Sequence, residues 1–140
     1  MSDRFFLDTN VFVYASDGTS PGKAKRARAL MREAVTTQKG VVSYQVVQEF
    51  FNLALRRFSR PMTTSDAEQY LNGVFLPLLA VHSSSGLYTE ALHVQQRYRL
   101  AWYDALIVTA AMEAECSILY SEDFQDGQRF GDLRIRNPFA

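Results

Sequence analysis

The chemistry this chain can do centres on acids: Asp8, Glu49, Asp104 and Asp123. Carboxylates that meet at one place repel each other, which disfavours their ionised forms. A hard divalent cation relieves that repulsion, and an all-oxygen donor set suits Mg²⁺ or Mn²⁺. Such an ion generates hydroxide from water and stabilises the charge of a phosphoryl transfer, so the reaction needs no nucleophilic side chain.

Each acid also has an ordinary structural reading. Asp8 follows the apolar run Phe5-Phe6-Leu7 and opens Asp8-Thr9-Asn10. A buried carboxylate without a partner is costly, so a strand made by that run ends there, at the rim of a sheet. Asp, Thr and Asn are equally good helix caps and turn formers. Asp104 opens the apolar stretch Ala105-Leu106-Ile107-Val108, where a helix dipole favours a carboxylate in the first turn. There too a capping role is open. Glu49 lies between the polar Gln45, Asn52 and Arg56 and the apolar Val46 and Leu53, which also describes an exposed polar strip. Asp123 follows Ile118-Leu119-Tyr120, with Glu122 and Asp126 beside it, in a sequence that also suits a plain turn.

The elements that would position these acids alternate. Phe5-Phe6-Leu7, Val41-Val42-Ser43, Leu78-Leu79-Ala80-Val81 and Ser117-Ile118-Leu119-Tyr120 read as short strands, and Leu133-Arg134-Ile135-Arg136 alternates like an edge strand. Helical spacing covers about Lys23 to Thr37, Gln45 to Phe58, a helix opened by Thr63-Thr64-Ser65, one that follows the loop or cap Ser83-Ser84-Ser85-Gly86 and runs to about Tyr98, and one from roughly Trp102 to Glu115. Glu68 is spaced for a capping box on Ser65. Ser16 to Gly22 reads as a loop. Strands alternating with helices imply a mostly parallel sheet covered on both faces, an α/β fold. In such a sheet the residues after β-strands, Asp8 and Ser121-Glu122-Asp123 among them, share one edge, where ligands bind.

The chain has 140 residues, enough for one domain (1–140) with a sizeable core. No apolar run approaches a membrane span, and the N-terminus lacks a signal-peptide pattern. The single cysteine, Cys116, excludes an internal disulfide, so a reducing cytoplasmic compartment is the simplest reading. Net charge is zero, but it is unevenly spread. Residues 23–60 hold nine basic side chains against Glu33 and Glu49, near +7, while 61–128 hold nine acids against Arg97 and Arg99, near −7. Such asymmetry fits either a polyanion-binding face or two solvated surfaces. His82 and His93 lack a cysteine partner for zinc, and the chain has no phosphate-binding Gly-x-x-x-x-Gly-Lys loop.

Phe6-Leu7-Asp8-Thr9-Asn10-Val11, the mid-chain Glu49, Tyr103-Asp104-Ala105-Leu106-Ile107 and Leu119-Tyr120-Ser121-Glu122-Asp123 resemble the PIN-domain nucleases, most closely the VapC-type toxins of bacterial type II toxin–antitoxin pairs. The resemblance spans nearly the whole chain. It implies a three-layer sandwich with a short, mostly parallel sheet of about four to five strands. It also implies a Mg²⁺- or Mn²⁺-dependent endoribonuclease, usually a homodimer, silenced by a cognate antitoxin. Carried onto this chain, Asp8, Glu49, Asp104 and Asp123 become the acidic quartet and Thr9 supports Asp8. A metal-activated water would attack the RNA phosphodiester, and the basic segment, with Lys23, Lys25, Arg26 and Arg28, would hold the RNA backbone. One departure stands out: relatives often have Asn or Arg before the last Asp, and this chain has Glu122, which leaves Glu122, Asp123 and Asp126 as candidates for the fourth acid.

Two other functions are compatible with parts of the pattern. A haloacid-dehalogenase-like phosphatase would use Asp8 as nucleophile, but it needs a second Asp where this chain has Asn10. A non-catalytic RNA- or protein-binding module would have no use for four intact acids.

Overall fold

Four of the short apolar runs pair side by side as parallel strands. In the computed structural model, which describes residues 2–140, they are β1 (Phe5–Leu7), β2 (Gly40–Ser43), β3 (Leu79–Val81) and β4 (Ile118–Tyr120). β5 (Arg129–Phe130) and β6 (Leu133–Arg136) complete a sheet of order β3-β2-β1-β4-β6-β5. Every neighbouring pair is parallel except β5 with β6. The sheet thus has six strands, against the expected four to five, because Arg129 and Phe130 fold back on Arg134 and Leu133 as a two-residue strand. That same strand moves Leu133–Arg136 off the edge.

Seven α-helices connect the strands: α1 (Thr9–Asp17), α2 (Pro21–Thr37), α3 (Tyr44–Ala54), α4 (Thr64–Tyr70), α5 (Leu76–Leu78), α6 (Ser85–Tyr98) and α7 (Trp102–Glu113). Between α4 and α5 the chain makes a π-helical turn, Leu71–Phe75. β1 steps to β2 and β2 to β3 in one direction along the sheet, whereas β3 steps back past β1 to β4. Right-handed crossovers therefore put the helices up to α5 on one face and α6 and α7 on the other. The packing agrees: α1 lies against α2 and α3, and α6 against α7. The result is the three-layer sandwich. No helix among the described residues is long and apolar enough to cross a membrane.

Local departures from the sequence reading have physical causes. α1 falls in a stretch, Val11 to Ala15, that is apolar throughout and so hides its helical period, although Val11, Phe12 and Ala15 are the buried positions. α3 stops at Ala54, short of Phe58, because the Leu53 carbonyl accepts from Arg56, Arg57 and Phe58 and closes the chain into a turn. The capping box falls two residues before the expected one: Thr63 accepts from the Asp66 N–H, and Asp66 from the Thr63 N–H. α7 is buried from Ala105 to Ala111, as an all-round apolar helix between sheet and α6 must be.

Two packing features hold the site-bearing elements. Phe50 of α3 sits at the centre of an aromatic cluster with Phe51, Phe58, Tyr70 and Phe75, the Tyr70 ring stacked on it at 4.7 Å. Phe12 of α1 joins through Phe75, with ring centroids 5.0 Å apart, so α1 and α3 share one rigid support. At the start of β2, a Cβ on Gly40 would lie 2.2 Å from the Ala34 Cβ, so only glycine lets α2 approach the strand this closely.

Candidate active site

Asp8 is the first residue beyond β1 and also the N-cap of α1. Its Oδ1 accepts from the Thr9 N–H at 2.7 Å. The pairing of Leu7 with Tyr120 brings Ser121 beside it, and the Ser121 hydroxyl donates to Asp8 Oδ2 at 2.7 Å. Capping and a place at the sheet rim are therefore not alternatives, because one side chain does both. Asp8 is only 4% exposed. Burial pushes its pKa up to about 7; the bonds from Ser121 and Thr9 oppose the rise, and the nearby Asp123 and Glu49 charges add to it.

Glu49 faces inward. The Thr9 hydroxyl donates to its Oε1 at 2.6 Å, which makes Thr9 the link between the start of α1 and α3. Gln45, one turn earlier, donates to Glu49 Oε2 at 3.3 Å and to the Tyr103 carbonyl at 3.2 Å. The polar strip of α3 is thus not solvated at this end: Gln45 is buried and bridges α3 to the first turn of α7. The same contacts fix the amide orientation, since a flipped Gln45 would place its oxygen against two acceptors. Gln45 Oε1 and the buried Ser43 Oγ are left without partners among the described residues.

Asp104 occupies the first turn of α7, whose N-cap position belongs to Ala101, so it is not the capping residue. Partial burial raises its pKa, and Asp123 and Glu49 raise it further. Asp123 is held in the loop after β4 by two bonds. Its N–H donates to Ser121 Oγ at 3.1 Å, and Asn10 Nδ2 donates to its Oδ1, also at 3.1 Å.

The three acids of that loop go to different places. Glu122 turns away to Tyr14 and Lys23. Asp126 accepts from the Asn137 N–H at 2.9 Å, tying down the C-terminal segment. Asp123 alone joins the other acids, and its charge acts on both Asp8 and Asp104. Ser121, Gln45 and Asn10 hydrogen-bond the candidate acids, and sequence reading did not single them out. The clue to Ser121 was its place after β4, level with Asp8; the clue to Gln45 was its helical spacing to Glu49.

The basic residues of α2 differ in their partners. Lys23 reaches Glu122 and Tyr14, Arg26 donates to the Pro138 carbonyl, and Arg28 donates to the Ala15 carbonyl, while Lys25 points to solvent. A cavity of about 340 Å³ lined by Met112, Cys116, Phe130 and Leu133 lies at the opposite, amino edge of the sheet, apart from the acids. Cys116, buried there, has its thiol pushed up to about 12, which makes it unreactive.

The donor set suits a hard divalent ion. It consists of carboxylates fixed by hydroxyls and amides, one of them so buried that it resists ionisation without a neighbouring positive charge. In the arrangement described, no three Asp, Glu, His or Cys side chains among the described residues already enclose a metal position. The charges of Asp123 and Glu49 nonetheless act on both Asp8 and Asp104.

Known proteins share this architecture. The structure superposes on a toxin–antitoxin complex from Klebsiella pneumoniae with a TM-score of 0.65, at 16% identity over 95% of this chain and 96% of the other. FitAB of a FitAB–IR36 DNA fragment complex gives 0.63, at 18% identity over 97% and 96%. VapC20 of Mycobacterium tuberculosis, described as a Sarcin-Ricin loop cleaving toxin, gives 0.58, at 19% identity over 93% and 98%. Compared by sequence with curated proteins, the chain matches none. The family profile named PIN domain matches residues 5–127, the span that runs from β1 through all four acids. This chain belongs to the PIN domain family.

Proposed function

We propose that the chain is a divalent-metal-dependent endoribonuclease and the toxin of a toxin–antitoxin pair. The observation that carries this reading is the convergence of charge at the carboxyl ends of β1 and β4: Asp123 and Glu49 each raise the pKa of both Asp8 and Asp104. Asp8 and Asp104 would hold Mg²⁺ or Mn²⁺, and Glu49 and Asp123 would complete the site. The bound ion would supply an activated water and neutralise charge on the phosphodiester. The chain's own residues do the rest. Ser121 and the Thr9 N–H fix the Asp8 carboxylate, the Thr9 hydroxyl and Gln45 hold Glu49, and Asn10 holds Asp123.

RNA as substrate is supported by the family and by the RNA-cleaving description of one neighbour. An antitoxin partner is supported by the toxin–antitoxin complexes among the neighbours. A homodimer and a cytoplasmic site of action belong to the same reading. Lys25 and Arg28 of α2 would contact the RNA backbone. The phosphatase alternative has no support in the site, where Asn10 donates to Asp123 in place of a second aspartate.

The test is cleavage of RNA by the purified chain with Mn²⁺, and with EDTA. Cleavage should require the metal, and Asp104→Asn should reduce it by more than about a hundredfold, beyond the usual loss from changing an outer-shell residue. Cleavage that persists in EDTA, or an Asp104→Asn variant as active as wild type, would defeat the proposal.

A further inference from the structure

Glu122 is the position where this chain departs from the family pattern, and its side chain is fully engaged away from the acids. Tyr14 Oη donates to Glu122 Oε1, and Lys23 Nζ donates to Oε2 at 3.1 Å. Lys23 Nζ also donates to Tyr14 Oη at 3.2 Å and lies over the Tyr14 ring, 4.6 Å from its centroid. The Phe139 ring closes the far side, edge-on to Tyr14 at 5.0 Å and 5.7 Å from Lys23 Nζ. Glu122 is therefore held by α1 and α2 at once, and Phe139 of the C-terminal segment packs against the two residues that hold it.

The next residue in the chain is Asp123. Its two inner anchors, Ser121 and Asn10, set the carboxylate against Asp8. Away from the acids the loop is also tied at Asp126, which accepts from the Asn137 N–H, and at Gly127, whose N–H donates to the Ile135 carbonyl. Glu122, adjacent to Asp123 and held by Tyr14 and Lys23, is the nearest of these outer anchors in the chain.

We propose that Tyr14, Lys23 and Glu122 form a clamp that positions the Asp123 loop for metal binding, and that Lys23 acts through Glu122 rather than on RNA. The three are positioning residues. The inference rests on the metal-dependent reading above, and it takes Lys23 out of the RNA-contacting set. Lys23 and Glu122 are both partly exposed, so their pairing adds little to overall stability and its effect is geometric.

The test combines Mn²⁺ titration by calorimetry with amide hydrogen exchange of residues 121–126 in metal-free protein. Glu122→Gln and Lys23→Met should each weaken Mn²⁺ binding about tenfold, the lower range for residues that orient a ligand. Both should speed exchange in the loop while the melting temperature barely moves. Lys23→Arg should keep most of the affinity. In an Asp104→Asn background, Lys23→Met should leave RNA binding unchanged. Variants that bind Mn²⁺ like the wild type overturn the clamp alone. So does a Lys23→Met chain that loses RNA affinity but keeps its affinity for Mn²⁺, which would make Lys23 a phosphate contact. A wild-type chain that binds no Mn²⁺ overturns the metal reading, and the clamp with it.

Discussion

Replacing Asp8 by Asn should make the metal-free protein more stable at high pH. In the folded chain burial holds the Asp8 carboxyl at about 7, against an ordinary value of 3.8. Between those values the folded state keeps a proton that the unfolded chain has released. Wild-type stability therefore falls as pH rises through that window, and the loss is complete above it. At about 1.36 kcal/mol per pH unit, the full effect is roughly 4 kcal/mol. Asn cannot ionise, caps a helix as well as Asp, and retains an oxygen for the Thr9 N–H. The advantage of Asp8→Asn should accordingly widen by about 2–3 kcal/mol between pH 5 and pH 8. At roughly 4 °C per kcal/mol for a chain of this size, that is about 10 °C in Tm. The assay is calorimetric unfolding of both proteins in EDTA at the two pH values. Adding Mn²⁺ at a hundred times its Kd should then stabilise the wild type by about 2.7 kcal/mol and the variant far less. A wild-type-to-variant gap that is the same at pH 5 and pH 8 would refute the reasoning, because it would mean that Asp8 ionises in the folded state as easily as in the unfolded one.

Three further outcomes test the packing and the surface. Ser121→Ala removes the donor to Asp8 and the acceptor of the Asp123 N–H; it should cost about 1–3 kcal/mol in chemical denaturation and weaken Mn²⁺ binding measured by calorimetry. Gly40→Ala forces a methyl group onto Ala34 and should lose at least about 1–3 kcal/mol in urea unfolding, with the strand displaced from α2. Lys25→Glu combined with Arg28→Glu should weaken RNA binding in an Asp104→Asn background, each lost phosphate contact reducing the log–log salt slope by about 0.7. An unchanged slope would assign both residues to ordinary solvated surface.

The parallel core of the sheet was legible because strands buried on both faces are short apolar runs, and Phe5–Leu7 and Ile118–Tyr120 are such runs. The same compactness concealed α1, since Val11 to Ala15 offers no polar face to mark a period. Two-residue β5 was invisible for a different reason: Arg129 and Phe130 carry no pattern, and only their pairing with β6 makes them a strand. At the site, Asp8 and Asp104 could be found from their apolar surroundings. Glu49 could not be separated from a surface residue, because its inward direction depends on Thr9, forty residues earlier in the chain. Where Glu122, Asp123 and Asp126 each point likewise depends on distant partners, Tyr14, Lys23, Asn10 and Asn137.

The two outermost strands bear on how this molecule avoids edge-to-edge pairing of its sheet with another. At one margin β5 is two residues long. At the other, β3 is three residues long and its register to β2 slips between Val42 and Ser43. Neither margin presents a flat row of free N–H and C=O groups on which another chain could be templated, the usual route to edge-to-edge aggregation. The same margins offer little backbone for strand addition by another protein. Larger apolar side chains stand exposed on the helices instead, among them Leu76, Tyr88 and Leu92.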